Sequence, residues 1–122
     1  VSQDLARAVE WYIKAGNQGN TGAQCKLGNM YDNGEGVSQD HAQAVEWFRM
    51  AANQGDALAQ CNLGLMYADG RGVLQDHARA LELCRKAAKQ GHACAQYNLG
   101  VMYENGHGVS QDHVRAVEWW RK

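Results

Sequence analysis

The chain has 122 residues with nearly balanced charges, 12 Lys and Arg against 13 Asp and Glu, for a formal net charge of −1. That balance excludes the basic surplus expected of a nucleic-acid-binding surface, and no apolar run approaches the roughly 18 residues of a membrane span. The length fits one domain. Four cysteines are too few for a disulfide scaffold.

The sequence repeats itself with a period of 36 residues. Complete units occupy 1–36, 37–72 and 73–108, and a partial unit occupies 109–122. Seventeen of the 36 positions are identical in the three complete units, which chance does not produce. We therefore predict one repeat domain over 1–122, as a piece of a longer array.

Each unit predicts two helices, helix B followed by helix A. In the second unit Asp40 can cap helix B, Gly55 can end it in a left-handed conformation, and Asp56 can begin helix A. Apolar residues recur three and four positions apart in both segments, as on a helix face. Applied to the whole chain, the pattern predicts seven helices, near residues 4–16, 20–32, 40–52, 56–68, 76–88, 92–104 and 112–122.

Glycine interrupts helix A at Gly28, Gly64 and Gly100, where it costs about 1 kcal/mol relative to alanine. The missing Cβ suggests that helix B of the same unit approaches closely at this point. An alanine-rich helix pair buries little surface by itself, so the units must stack to be stable. Both terminal helices are helix B without a polar cap, and we therefore expect self-association through them.

The motif Ala-x-Ala-Gln-x-x-Leu-Gly-x-Met-Tyr-x-x-Gly-x-Gly-Val-x-Gln-Asp, followed by Ala-x-Ala-x-Glu-Trp, resembles the Sel-1-like repeat (SLR) across the whole chain. This family is similar to tetratricopeptide repeats. The resemblance implies an all-α solenoid of antiparallel helix pairs in a right-handed superhelix. It also implies an adaptor that binds other proteins or peptides, and many bacterial relatives are secreted, periplasmic or host-interacting.

Two departures from the family pattern matter. The family usually has Pro after Gly-Val, where this chain has Ser38, Leu74 and Ser110. A cysteine-rich branch pairs cysteines across each helix hairpin with seven intervening residues, whereas Cys84 and Cys94 have nine between them. The disulfides and the β-lactam-related activity of that branch therefore do not carry over, although Cys84 and Cys94 remain the one plausible pair.

Variable positions of helix A are the candidate binding residues, because in the tetratricopeptide fold they line the concave groove. An apolar strip flanked by acidic residues would suit an extended or helical peptide with basic residues. The alternative is that these side chains only pack between neighbouring A helices. The predicted partner-binding residues are Asn29, Asp32, Leu58, Cys61, Leu65, Asp69, Tyr97, Val101 and Glu104.

No residue pattern indicates catalysis, a cofactor or a metal. His41, His77 and His113 share one repeat position and would lie one unit apart, whereas zinc ligands converge within about 2.3 Å of one ion. The recurring Gly-x-Gly pairs follow helices and not strands, unlike phosphate-binding loops.

We therefore expect a non-enzymatic interaction scaffold, or alternatively a structural spacer or host-facing repeat protein. We expect a periplasmic or secreted location if the full-length chain carries a signal peptide, and otherwise a cytoplasmic one.

Overall fold

The computed structural model describes residues 3–105, and every regular element in that range is a helix. The predicted all-α solenoid is confirmed, while the helix predicted near 112–122 lies outside the described residues. The helix ends differ from the predicted ones by about one residue. The helices are α1 Gln3–Asn17, α2 Thr21–Asn33, α3 His41–Asn53, α4 Ala57–Asp69, α5 His77–Lys89 and α6 Ala93–Asn105.

The helices begin and end where short polar residues and glycines allow it. Asp40, Asp56 and Asp76 each accept a hydrogen bond from the backbone N–H three residues later, at 3.1, 2.9 and 3.1 Å. These contacts satisfy backbone donors that the first helical turn leaves unpaired. Gly55 has φ +90° and Gly70 has φ +68°. Residues that carry a Cβ rarely adopt these backbone conformations. The predicted caps are thus confirmed.

Each helix packs against its neighbours in sequence, so that odd-numbered helices form one layer and even-numbered helices the other. The contacts between α2 and α3 and between α4 and α5 are the most extensive. Alanine supplies much of the interface, because Ala44, Ala51 and Ala80 are completely buried. Larger fully buried side chains, Phe48 and Met66 among them, fill the remaining space.

Glycine in the even-numbered helices does admit a close neighbour, but the prediction of which helix approaches was wrong. A Cβ on Gly28 would lie 2.5 Å from the Phe48 ring, and one on Gly64 would lie 3.2 Å from the backbone oxygen of Ala80. Phe48 is on α3 and Ala80 is on α5. In each case the approaching helix therefore follows the glycine in sequence and belongs to the next 36-residue unit.

Glutamine side chains connect one repeat to the next. Gln60 is 6% exposed; its Nε2 donates to the backbone oxygen of Ala52 at 3.4 Å and its Oε1 accepts from Gln90 Nε2 at 2.9 Å. One unit earlier, Gln24 makes the same two contacts, to Gly16 and Gln54, both at 2.9 Å. The relay gives a buried amide hydrogen-bond partners that the apolar core does not supply.

The odd-numbered layer contains one large aromatic contact between successive units. Trp47 on α3 is 7% exposed, and its Cζ3 would lie 2.9 Å from a Cβ at Gly16 on α1. The indole therefore fits because residue 16 has no side chain. At the equivalent place one unit later the pair is Ala52 and Leu83, and Leu83 is only partly buried.

Candidate functional site

An apolar groove lies between α4 and α6 on the even-numbered layer. It has a volume of about 500 Å³. Leu58 and Tyr97 stand 44% and 63% exposed at its sides. Its apolar lining comes from Leu58, Cys61, Leu65, Ala93, Cys94 and Tyr97, and its polar lining from Asn62, His92 and Asn98. We call this the α4–α6 groove.

Repeat geometry explains why these residues meet. Leu58, Cys61 and Leu65 lie three and four positions apart, on one face of α4. Cys94 and Tyr97 occupy the same repeat positions as Leu58 and Cys61, on the matching face of α6. Two equivalent faces one unit apart therefore form the two walls of the groove.

The floor of the groove is Cys61, which is 2% exposed. Burial raises the pKa of its thiol, and the hydrogen bond from Asn98 Nδ2 to its Sγ at 3.5 Å acts in the opposite direction. All four cysteines are free thiols, so Cys84 and Cys94 are not bridged in this structure. Cys84 is buried whereas Cys94 is exposed.

The predicted acidic edge is partly neutralised by a residue that the sequence reading missed. Arg71, in the turn after α4, lies 3.8 Å from an Asp32 oxygen and 3.9 Å from an Asp69 oxygen. Asp32 also contacts His41 Nδ1 at 2.7 Å and is mostly buried. One guanidinium thus bridges acidic residues of two successive units, which reduces the negative charge available to a basic partner.

The structure brings together only part of the predicted set. Leu58, Cys61, Leu65 and Tyr97 share the α4–α6 groove. The other members lie elsewhere on the same layer and do not line it, although Asn29, Val101 and Glu104 are half-buried on their helices.

Three polar groove residues were recognisable in principle. Asn62 and Asn98 occupy the same repeat position, where the first unit has Lys26. His92 takes the place of the capping residues Asn20 and Asp56, and its Nδ1 accepts from the backbone N–H of Ala95 at 3.2 Å. A comparison of variable positions that included polar residues as well as apolar ones would have selected all three.

Within residues 3–105, no three His, Cys, Asp or Glu side chains converge as metal ligands would. In the same range, no helix combines the length and apolar character that crossing a bilayer requires.

Comparison with solved structures finds close similarity to bacterial repeat proteins. The chain is 45% identical over 99% of its length to c5321, a protective antigen of uropathogenic Escherichia coli with an SLR fold (TM-score 0.95). It is 38% identical over 93% of its length to a Sel1 repeat protein from Oxalobacter formigenes (TM-score 0.87). It spans 26% and 47% of those two chains.

A more distant match supports the fold alone. Helicobacter pylori cysteine rich protein B is 23% identical over 98% of this chain and 85% of its own length, with a TM-score of 0.71. No protein of curated function matches the sequence.

The family comparison covers nearly every residue. The Sel1 repeat profile matches residues 1–20, 21–56, 57–92 and 95–122. Proteins with this repeat are in general non-catalytic scaffolds that bind other proteins. The profile, the repeat period and the helical solenoid agree, and the chain belongs to the Sel1 repeat family.

Proposed function

We propose that this chain binds a segment of a partner protein in the α4–α6 groove. The observation that carries the proposal is the exposure of Leu58 and Tyr97 on either side of an apolar depression. Binding energy in protein interfaces concentrates at well-packed pockets and at aromatic anchors such as tyrosine. A leucine-sized or aromatic side chain of the partner would occupy the groove above Cys61.

Polar groups at the groove margin would orient the partner backbone. Asn62 and Asn98 are half-buried on the two walls, and each carries an amide that can both donate and accept. Arg71 already contacts Asp32 and Asp69. Basic residues of the partner therefore contribute less to the binding affinity than they would if these two carboxylates were unpaired. We therefore propose that apolar contact dominates the affinity.

Selection of phage-displayed peptides on the 122-residue chain provides the test. Selected peptides should share an apolar anchor residue. Leu58→Ala and Tyr97→Ala should each weaken their binding by about thirtyfold or more, since anchor truncations cost upward of about 2 kcal/mol. Leu74→Ala is the matched control, because Leu74 is 91% exposed but does not line the groove.

The alternative function is a spacer or host-facing repeat without a dedicated peptide groove. In that case both groove variants would bind the selected peptides as well as the unchanged chain does. Cross-linked peptides would then map to surfaces other than the α4–α6 groove.

A further inference from the structure

A second depression lies on the opposite layer, between α3 and α5, and has a volume of about 480 Å³. It is separate from the groove proposed to bind partners and shares none of its lining residues. Volumes of about 300–1,000 Å³ are typical of small-molecule sites. Its lining consists of Arg49, Asn53, Leu63, Tyr67, Arg79, Glu82 and Leu83, and we call it the α3–α5 cleft.

Two guanidinium groups converge on one phenol oxygen in this cleft. Arg49 Nη1 lies 3.3 Å and Arg79 Nη1 lies 3.5 Å from the hydroxyl oxygen of Tyr67. Because that oxygen accepts from both arginines, the phenolic proton of Tyr67 must point away from them. The Nε of Arg49 is buried without a hydrogen-bond partner. The cleft therefore offers several donors at one place.

Nearby carboxylates do not satisfy these donors. Glu46 lies 3.8 Å from Arg49 Nε and Asp76 lies 3.5 Å from Arg79 Nε, and these carboxylates are 62% and 41% exposed. Glu82, which lines the cleft, is paired with Lys86 at 3.6 Å. Exposed pairs of this kind are weak, so a carboxylate that hydrogen-bonds both guanidiniums can compete with them.

The preceding unit shows what shape the cleft accommodates. There the position of Leu83 is held by Trp47, whose ring packs over Gly16 and beside Leu27. The position of Arg49 is held by Ile13, which packs against the same apolar cluster. The change from tryptophan to leucine removes part of the volume of the indole, although the methyl group of Ala52 occupies the place that Gly16 leaves free. The change from isoleucine to arginine places a cation beside the space that remains.

We propose that the α3–α5 cleft binds an aromatic carboxylate, with the ring over Leu63 and Leu83 and the carboxylate between Arg49 and Arg79. The ring occupies the space beside Leu83, and the carboxylate accepts hydrogen bonds from the two guanidiniums. The same chemistry occurs in a free aryl acid and in a protein chain that ends in an aromatic residue.

Titration with indole-3-acetate, followed by the Nε–Hε resonances of the arginines, tests the proposal. Those of Arg49 and Arg79 should shift saturably, whereas that of Arg85 should not, because its Nε already donates to the Tyr103 hydroxyl at 3.0 Å. Indole lacks the carboxylate and therefore loses the charge-assisted hydrogen bonds, and acetate lacks the ring contact. Each should bind at least about tenfold more weakly than indole-3-acetate.

Two variants separate a real site from surface association. Leu83→Trp combined with Ala52→Gly reproduces the Trp47–Gly16 pair, fills the cleft and should abolish binding while the chain stays folded by circular dichroism. Arg49→Lys should weaken binding by about tenfold, because lysine cannot hydrogen-bond a carboxylate in the bidentate manner of arginine.

A peptide ending in Gly-Gly-Trp with a free carboxyl group distinguishes the two sources. Tighter binding of this peptide assigns the ligand to a protein terminus, and tighter binding of indole-3-acetate assigns it to a small molecule. Failure of both ligands to shift Arg49 and Arg79, or unchanged binding in the filled variant, would overturn the proposal.

Discussion

At the scale of single residues, two glycines at the same repeat position face different neighbours. A Cβ on Gly28 would lie 2.5–2.7 Å from three atoms of the Phe48 ring. A Cβ on Gly64 would meet Cys84 Sγ at 3.1 Å and the Ala80 oxygen at 3.2 Å. The aromatic ring is rigid and fully enclosed, so it cannot move aside for an added methyl group.

We therefore expect Gly28→Ala to destabilise the protein more than Gly64→Ala. Overpacking costs about 1–3 kcal/mol, and better helix propensity returns about 1 kcal/mol at either site. The net change in the free energy of unfolding should thus be clearly unfavourable at Gly28 and small at Gly64. Urea denaturation of both variants measures the difference.

The control for this comparison is the Phe48→Cys background, which gives α3 the side chain that α5 has at Cys84. In that background the penalty of Gly28→Ala should fall to about the level of Gly64→Ala. Equal penalties at the two glycines in the unchanged sequence would contradict a steric origin.

The sequence reading recognised that Gly64 makes room for a helix but assigned the wrong helix. A 36-residue period states which residues are equivalent and leaves open whether each helix A packs more closely on the helix before it or after it. Only the placement of Phe48 over Gly28 and of Ala80 beside Gly64 decides this.

At the scale of helices, the glutamine relay joins α3, α4 and α5 through a single side chain. Gln60 contacts the end of α3 through Ala52 and the end of α5 through Gln90. Because these contacts are made at the ends of the helices, they fix the relative rotation of neighbours that alanines alone would leave less well defined.

Replacing Gln60 by methionine, which has a similar shape, should destabilise the protein by about 1–3 kcal/mol, because two hydrogen bonds of a buried amide are lost. Gln90→Met should cost less, since it removes one hydrogen bond and leaves the Gln60 amide its contact with the Ala52 oxygen. The double variant should show a coupling energy of about 0.5 kcal/mol or more in a double-mutant cycle. Strict additivity would mean that the relay contributes no pairwise stabilisation.

The helix caps could be predicted from the sequence, whereas the ion pairs between units could not. Asp40, Asp56 and Asp76 act on backbone groups three residues away, and local sequence is sufficient to identify such contacts. The Arg71 contact with Asp32 spans two units and joins positions that differ from one unit to the next. No repeat pattern could reveal it.

At the scale of the whole molecule, the buried thiols make the free energy of unfolding depend on pH in the alkaline range. Burial raises the pKa of Cys84 from its ordinary 9.0 to about 12. Burial, helped by the neighbouring Asp56 carboxylate, raises the pKa of Cys25 from 9.0 to about 12. Unfolded chains release these protons from about pH 9 upward, while the folded chain retains them.

The free energy of unfolding should therefore be insensitive to these thiols below about pH 9 and should fall as the pH rises from about 9 to about 12. Denaturant titrations across that range measure the slope. Cys84→Ala should make the fall less steep, whereas Leu74→Ala, which removes no ionisable group, should not. If the free energy of unfolding fell with pH as steeply in Cys84→Ala as in the unchanged chain, the Cys84 thiol would not be a source of the pH dependence.

Part of the α4–α6 groove could be predicted from the sequence. The variable positions of helix A identified Leu58, Cys61, Leu65 and Tyr97, because repeat equivalence places them on facing helices. The smaller side chain at Leu83 is visible in the sequence, but only the structure shows that Arg49 and Arg79 meet beside it to form the α3–α5 cleft.

Both depressions are assembled across the boundary between two units of the family profile, 21–56 and 57–92 for the cleft, and 57–92 and the residues after it for the groove. Both proposed binding sites thus belong to junctions between repeats. Each ordered pair of repeats forms a different junction. Recombination that reorders a set of repeats can therefore create a number of junctions that grows with the square of the number of repeats, without any point mutation. A genome can diversify its recognition surfaces in this way by shuffling alone.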